Sequence, residues 1–154
     1  MSVISKLTVT HDAALVILRD VPANFSCASE IFDALEKAKI TVDMIAQSPL
    51  VGPYFTLFFS ANGEDVGKIS AIVQQMRQKH ASIRPLISDS NVKLSLYGED
   101  MASHSGVAAE VFRLIRAFES DVLFYTSSSV DISLLIGRGS AESCIEIFKE
   151  KYKL

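Results

Sequence analysis

Offset by eighty positions, the chain aligns with itself. Ala28, Glu30, Phe32, Val42 and Ser48 fall on Ala108, Glu110, Phe112, Val122 and Ser128, while Ile31 and Leu35 meet Val111 and Ile115. The earlier matches keep helical spacing and the later ones strand spacing, so an ordered set of elements is what repeats. Within 154 residues this predicts two small units rather than one domain around a single site.

Unit one reads as a strand at Ala14–Arg19, a loop, a helix near Ser26–Lys39, strands at Thr41–Ser48 and Tyr54–Ser60, a helix near Asp65–Lys79, and a short strand at Ile83–Ile87. A polar linker is expected at Ser88–Asn91. Unit two has a strand at Val92–Tyr97, the loop Gly98–His104, a helix near Ser105–Phe118, strands at Asp121–Ser127 and Val130–Ile136, and a helix near Ser140–Tyr152. It ends one strand short. The unassigned strand-like segment Val3–Thr10 is expected to supply that strand, so that the units, 11–88 and 3–10 with 91–154, interlock. Each is then a ferredoxin-like βαββαβ unit of α+β class, an antiparallel sheet with both helices on one face. Tyr54–Ser60 is apolar on both sides, so the other face needs cover, and a homodimer is expected.

Met44–Gly63 carries no charge over a length that would span a membrane. Pro49, Gly52 and Pro53 break it in the middle, which favours two strands around a turn. With 15 Lys+Arg against 18 Asp+Glu, the charge of −3 gives no footprint for nucleic acid or an anionic membrane. Met1–Lys6 is mixed and no apolar run follows it, so no signal peptide is expected and the chain reads as soluble and cytoplasmic. Cys27 and Cys144 form no CxxC and lie on helix stripes, where a free thiol behaves as a small hydrophobe.

Catalytic constellations do not emerge. His11, His80 and His104 are far apart, in no metal-ligand spacing, and read as exposed or capping residues. Gly137-Arg138-Gly139 is a lone GxG, and Glu99-Asp100 an adjacent, solvated pair. The run Thr126-Ser127-Ser128-Ser129 has no base at a plausible spacing. No cofactor or metal is expected.

More informative are the two loops that lead from a strand into a helix, Val21–Ser26 and Met101–Gly106. Free N–H groups at a helix start suit a carboxylate. In unit one Asn24, Phe25 and Ser26 lie there, and strict alternation on the next strand would set Asp43 on one face with Thr41 and Gln47. A carboxylate receptor beside a carboxylate is what a zwitterionic amino acid requires. Ser- and Asn-capped loops also start most helices without any ligand.

Several stretches resemble a known family. Gly98-Glu99-Asp100-Met101-Ala102-Ser103-His104-Ser105-Gly106-Val107-Ala108-Ala109 resembles the G-x-G-M-x-S-H-P-G-V-A-A of aspartate kinase regulatory regions, and Thr126–Ser133 the later S-T-S-E-I-x-I-S. Val21-Pro22 and Ile40–Ser48 resemble V-P-D-x-P-G and I-N-V-D-M-I-x-Q-N. The resemblance runs from about Val3 to the end of the chain and implies tandem ACT domains, modules that bind amino acids at domain interfaces. It implies lysine or threonine as effector, feedback on a kinase catalytic domain or subunit, a homodimer, and interlocked units. The K-F-G-G-T-S-like nucleotide motif of that catalytic domain does not occur in this chain. Carried over by position, effector contacts fall on Asn24, Phe25 and Ser26 and on Val42, Asp43 and Gln47. In unit two they fall on Ser103, His104, Ser105, Gly106 and Val107, with Ser127 and Ser128. The chain departs from the pattern at Ala23, Phe25 and Ser26, at Ser105, and at Ser129, where the family has Glu. Asp43 is then the expected partner for an effector ammonium, with another unit's loop completing the site. If Phe25 fills the pocket instead, the pair is structural. A stand-alone ACT pair serving another enzyme or regulator is the alternative reading.

Overall fold

The computed structural model describes residues 2–154, with the side chain of Phe25 outside the described residues. Its elements are β1 (Lys6–Pro22), α1 (Phe25–Lys37), β2 (Val42–Gln47), β3 (Tyr54–Asn62), α2 (Val66–Lys79), β4 (Arg84–Tyr97), α3 (Val107–Leu114), β5 (Val122–Ser127), β6 (Asp131–Ile136) and α4 (Arg138–Tyr152). They form two compact units. One is Asp12–Asp89, and the other joins the segment up to His11 to Ser90–Leu154.

In the Asp12–Asp89 unit the strand order is β2-β3-β1-β4, and in the other β1-β4-β6-β5. β3 pairs antiparallel with both β1 and β2, and β6 with both β4 and β5. Each sheet buries one face under two helices, the ferredoxin-like α+β arrangement. Spacing explains the helix faces. On α1, Cys27, Ile31 and Leu35 recur every fourth residue and are buried against Val16, Leu18 and Phe59. On α2 the buried residues are Ile69, Val73 and Met76. In the second unit Val111 and Ile115 meet Cys144, Ile145 and Phe148 of α4 over Leu94, Leu96 and Leu134. Ile4, completely buried, belongs to this second core. Both thiols are free and buried.

Three local expectations need correction. Ser88–Asn91 is not a linker but the middle of β4. Nor does the chain break between Thr10 and Ala14, because β1 runs through. At these points Ser90 (φ 58°) and Asp12 (φ 52°) take left-handed backbone, so turn-like residues are absorbed as irregularities within the strands. The third helix stops at Leu114, and Arg116–Asp121 continues as 3-10 turns.

Two strands carry repeat-related irregularities. β2 holds one residue more than β3 between Val42 and Ile45, and β5 one more than β6 between Val122 and Phe124. These bulges are eighty residues apart, like the sequence matches. The charge-free stretch Met44–Gly63 is the β2–β3 hairpin with the turn after it. No helix among the described residues is long and apolar enough to cross a membrane.

Candidate functional site

In the Asp12–Asp89 unit the site is built where β1 hands over to α1. Asn24 is the N-cap: its Oδ1 accepts from the backbone N–H of Cys27 at 2.8 Å and from Ser26 Oγ at 3.0 Å. The N–H of Ala23 donates to the carbonyl of Pro53 at 2.8 Å, tying the loop to the β2–β3 hairpin. Within the hairpin Ser48 Oγ accepts from the N–H of Thr56 at 2.9 Å. Between loop and hairpin lies a cavity of about 210 Å³ lined by Ala23, Asn24, Ala28, Gln47, Leu50 and Phe55.

The structure brings Asn24 and Gln47 to this cavity and leaves other expected residues out of it. Val42 faces the hydrophobic core, opposite Ala61. Gln47 stands opposite Leu57 and Ile45 opposite Phe59, so both share a face of the strand with Val42, although at this position they are exposed. The extra residue between Val42 and Ile45 interrupts the alternation. Asp43 is therefore not placed beside Gln47 by period two, and it does not line the cavity. Ser26 is engaged by Asn24. The expectation for Phe25 falls on a side chain outside the described residues.

The second unit repeats the construction. A cavity of about 290 Å³ is lined by Met101, His104, Gly106, Val107 and Ala108 on the loop and α3, and by Ser127, Ser128, Ser129 and Ile132 on β5, its turn and β6. Eighty residues separate Asn24 from His104, Ala28 from Ala108, and Gln47 from Ser127. The helix start differs. Gly106 (φ 88°) is the N-cap of α3 and offers no side chain, so no side chain caps the first N–H groups. Ser103 does not line the cavity, and Ser105 lines a different cleft between α3 and α4.

Nothing in these contacts makes a nucleophile. Ser103 Oγ lies 3.2 Å from His104 Nδ1, yet that nitrogen is 2.8 Å from the Asp100 carbonyl, where only its protonated form makes a bond. Nδ1 therefore serves as a donor to backbone and is no base for the serine. Ser128 Oγ accepts from the N–H of Val130, a turn contact. Among the described residues no three His, Cys, Asp or Glu side chains converge as metal ligands. Among the described residues no carboxylate lines either cavity.

Ala28, Leu50, Phe55, Met101 and Ile132 were not foreseen as lining residues. The signal for one pair was present: Ala28 and Ala108 are identical across the repeat, and a small residue in the first turns of each helix leaves the space open.

No family model matches the chain. The aspartokinase of Corynebacterium efficiens is 26% identical over 155 residues, taking in 99% of this chain and 37% of that protein. The chain thus spans little more than a third of the curated relatives it matches. Among solved structures, the ligand-free regulatory subunit of aspartate kinase from Thermus thermophilus superposes with a TM-score of 0.84 at 21% identity, over 96% of this chain and 97% of that one. E. coli aspartokinase III in complex with lysine and aspartate gives 0.74 at 16% identity, over 98% of this chain and 33% of that one. The resemblance is to the regulatory, not the catalytic, part: by sequence the relatives of this chain are aspartokinases, and its fold is that of the regulatory subunits of aspartate kinase.

Proposed function

We propose that this chain is the amino-acid-sensing region of an aspartate kinase and transmits feedback from lysine or threonine to a kinase catalytic domain or subunit. The observation that carries the reading is the pair of repeat-related cavities, each set between a helix N-terminus and the end of the following strand. In the second unit, the uncapped N–H groups after Gly106 receive the effector's α-carboxylate, and the hydroxyls of Ser127–Ser129 face them across the cavity. In the first, Asn24 already occupies the N–H of Cys27, which favours a weaker or purely structural role there. Of the two effectors, threonine fits the linings better. A lysine side chain would bring a second ammonium into cavities that present no carboxylate.

Regulation follows from linkage. Ligand at a hundredfold its Kd stabilises the state that binds it by about 2.7 kcal/mol. If the kinase is less active in that state, inhibition needs no contact with its active site. Exposed Leu50 (59%) and Val51 (79%) at the hairpin tip, beside the first cavity, support a homodimer in which a second copy covers this rim.

A thermal-shift panel of threonine, lysine, methionine and other amino acids tests the reading. Saturable stabilisation by threonine, lost in Ser127→Ala/Ser128→Ala, is expected. No stabilisation by any amino acid would leave the structural ACT pair as the better account.

A further inference from the structure

We propose that His104 makes effector binding in the second cavity dependent on pH: its neutral ring accepts a hydrogen bond from the effector's ammonium, and protonation of the ring releases the effector. The inference rests on the amino-acid reading and adds how that site is regulated. In an α-amino acid the ammonium and the carboxylate hang from one carbon. A carboxylate held by the N–H groups after Gly106 therefore brings the ammonium beside the loop that enters α3. His104 is in that loop, two residues before Gly106, and lines the cavity with it. A desolvated ammonium needs an acceptor, and among the described residues the lining offers no carboxylate. It offers this imidazole, with the serine hydroxyls on the far wall.

The loop itself fixes the tautomer. His104 Nδ1 lies 2.8 Å from the Asp100 carbonyl, which can only accept, so in the neutral ring Nδ1 carries the proton and Nε2 keeps its lone pair. A second proton goes to Nε2. It removes the acceptor and sets a positive charge beside the ammonium, while the bond from Nδ1 to Asp100 stays as it was. The switch acts on the ligand and leaves the loop in place. Glu99 and Asp100 precede the ring in its own loop, and the cleft on its other side holds Glu110 and Arg113 of α3 with Lys151 and Tyr152 of α4. The repeat supplies an internal contrast. Asn24, eighty residues earlier, does not titrate, and its Oδ1 is engaged by the N–H of Cys27 and by Ser26 Oγ. The switch is built into one unit only.

Isothermal titration of the whole chain at pH 8 and at pH 5.5 tests it, because histidine is the side chain that ordinarily changes charge in that interval. The ligands are threonine and, separately, 2,3-dihydroxybutanoate, in which a hydroxyl replaces the ammonium. Threonine affinity should fall on the order of tenfold toward pH 5.5, the worth of a hydrogen bond to a charged group. The hydroxyl analogue should bind nearly alike at both. His104→Ala should bind threonine more weakly at pH 8 and lose the pH difference; if it does not fold, the parent's response to the two ligands decides. Equal threonine affinities in the parent at the two pH values would overturn the proposal and leave the amino-acid site standing, as would a folded His104→Ala that keeps the parent's pH difference. A parent without saturable threonine binding at pH 8 would defeat the site, and the switch with it.

Discussion

Gly98 is the position where the structure predicts the largest effect from the smallest change. A Cβ placed there would lie 1.8 Å from the carbonyl oxygen of Val3 and 2.9 Å from its carbonyl carbon. The backbone at Gly98 is extended (φ −169°), so any residue can adopt it, and the obstacle is steric alone. To reach an ordinary contact the Val3–Ser5 segment must retreat by more than 1 Å. That movement strains the hydrogen bond from the N–H of Ser5 to the Tyr97 carbonyl at 2.8 Å, and it lifts Ile4 from a core where it is completely buried. The lost hydrogen bond is worth about 1 kcal/mol, and overpacking at a close contact about 1–3 kcal/mol. Gly98→Ala should therefore destabilise by about 2–4 kcal/mol, a large share of the roughly 5–15 kcal/mol a domain commands. Urea unfolding followed by near-UV circular dichroism reads mainly this unit, because Tyr97, Tyr125 and Tyr152 lie in it and Tyr54 alone in the other. Gly67→Ala is the control: its Cβ would meet nothing within 4 Å in the first turn of α2. It should stabilise by up to about 1 kcal/mol. A Gly98→Ala curve within about 0.5 kcal/mol of the parent, the level of an ordinary surface change, would refute the close approach of Val3.

Other expectations are direct. Asn24→Ala removes the acceptor for the N–H of Cys27 and should lower stability by about 1 kcal/mol, with Asn24→Asp retaining most of it; equal urea midpoints for all three proteins would contradict the capping role. Leu50→Asp/Val51→Asp should leave the circular dichroism spectrum unchanged while abolishing self-association in sedimentation velocity; a persistent dimer would move the interface elsewhere. Alkaline pH should destabilise the chain. Burial raises the thiols of Cys27 and Cys144 above their ordinary 9.0, with Glu30 and Asp121 adding to it, and the Tyr152 phenol above 10.0. These groups ionise first in the unfolded chain, so their contribution is complete below pH 9 and is lost as pH rises through the folded values. Melting temperatures flat from pH 8 to 10.5 would count against it.

The helices and strands were legible because one face of each is buried: Cys27, Ile31 and Leu35, or Ile69, Val73 and Met76, announce themselves by spacing. What escaped was set by backbone geometry, which leaves little trace in a hydrophobic pattern. Asp12 and Ser90 look like turn residues, and are left-handed, yet the strands run through them. Asp43 illustrates the same limit at the site. Alternation is a rule about regular strands, and one additional residue between Val42 and Ile45 cancels it where the site depended on it. The loops before α1 and α3 were visible as helix starts, whereas their different caps were not: Asn24 folds back on its own helix and Gly106 has nothing to offer.

Ile4 seated among residues that lie about ninety positions further on also sets an order of events. The Asp12–Asp89 unit is continuous in sequence and has all its strands once residue 89 is available. Its partner closes a loop that contains that entire unit, an entropic toll collected before any of its long-range contacts form. On a ribosome the first strand would emerge early and wait, edge unpaired, until β4 arrived. The expected order of assembly therefore runs from the middle of the chain outward, and truncation at either terminus is expected to cost the unit that needs both ends first.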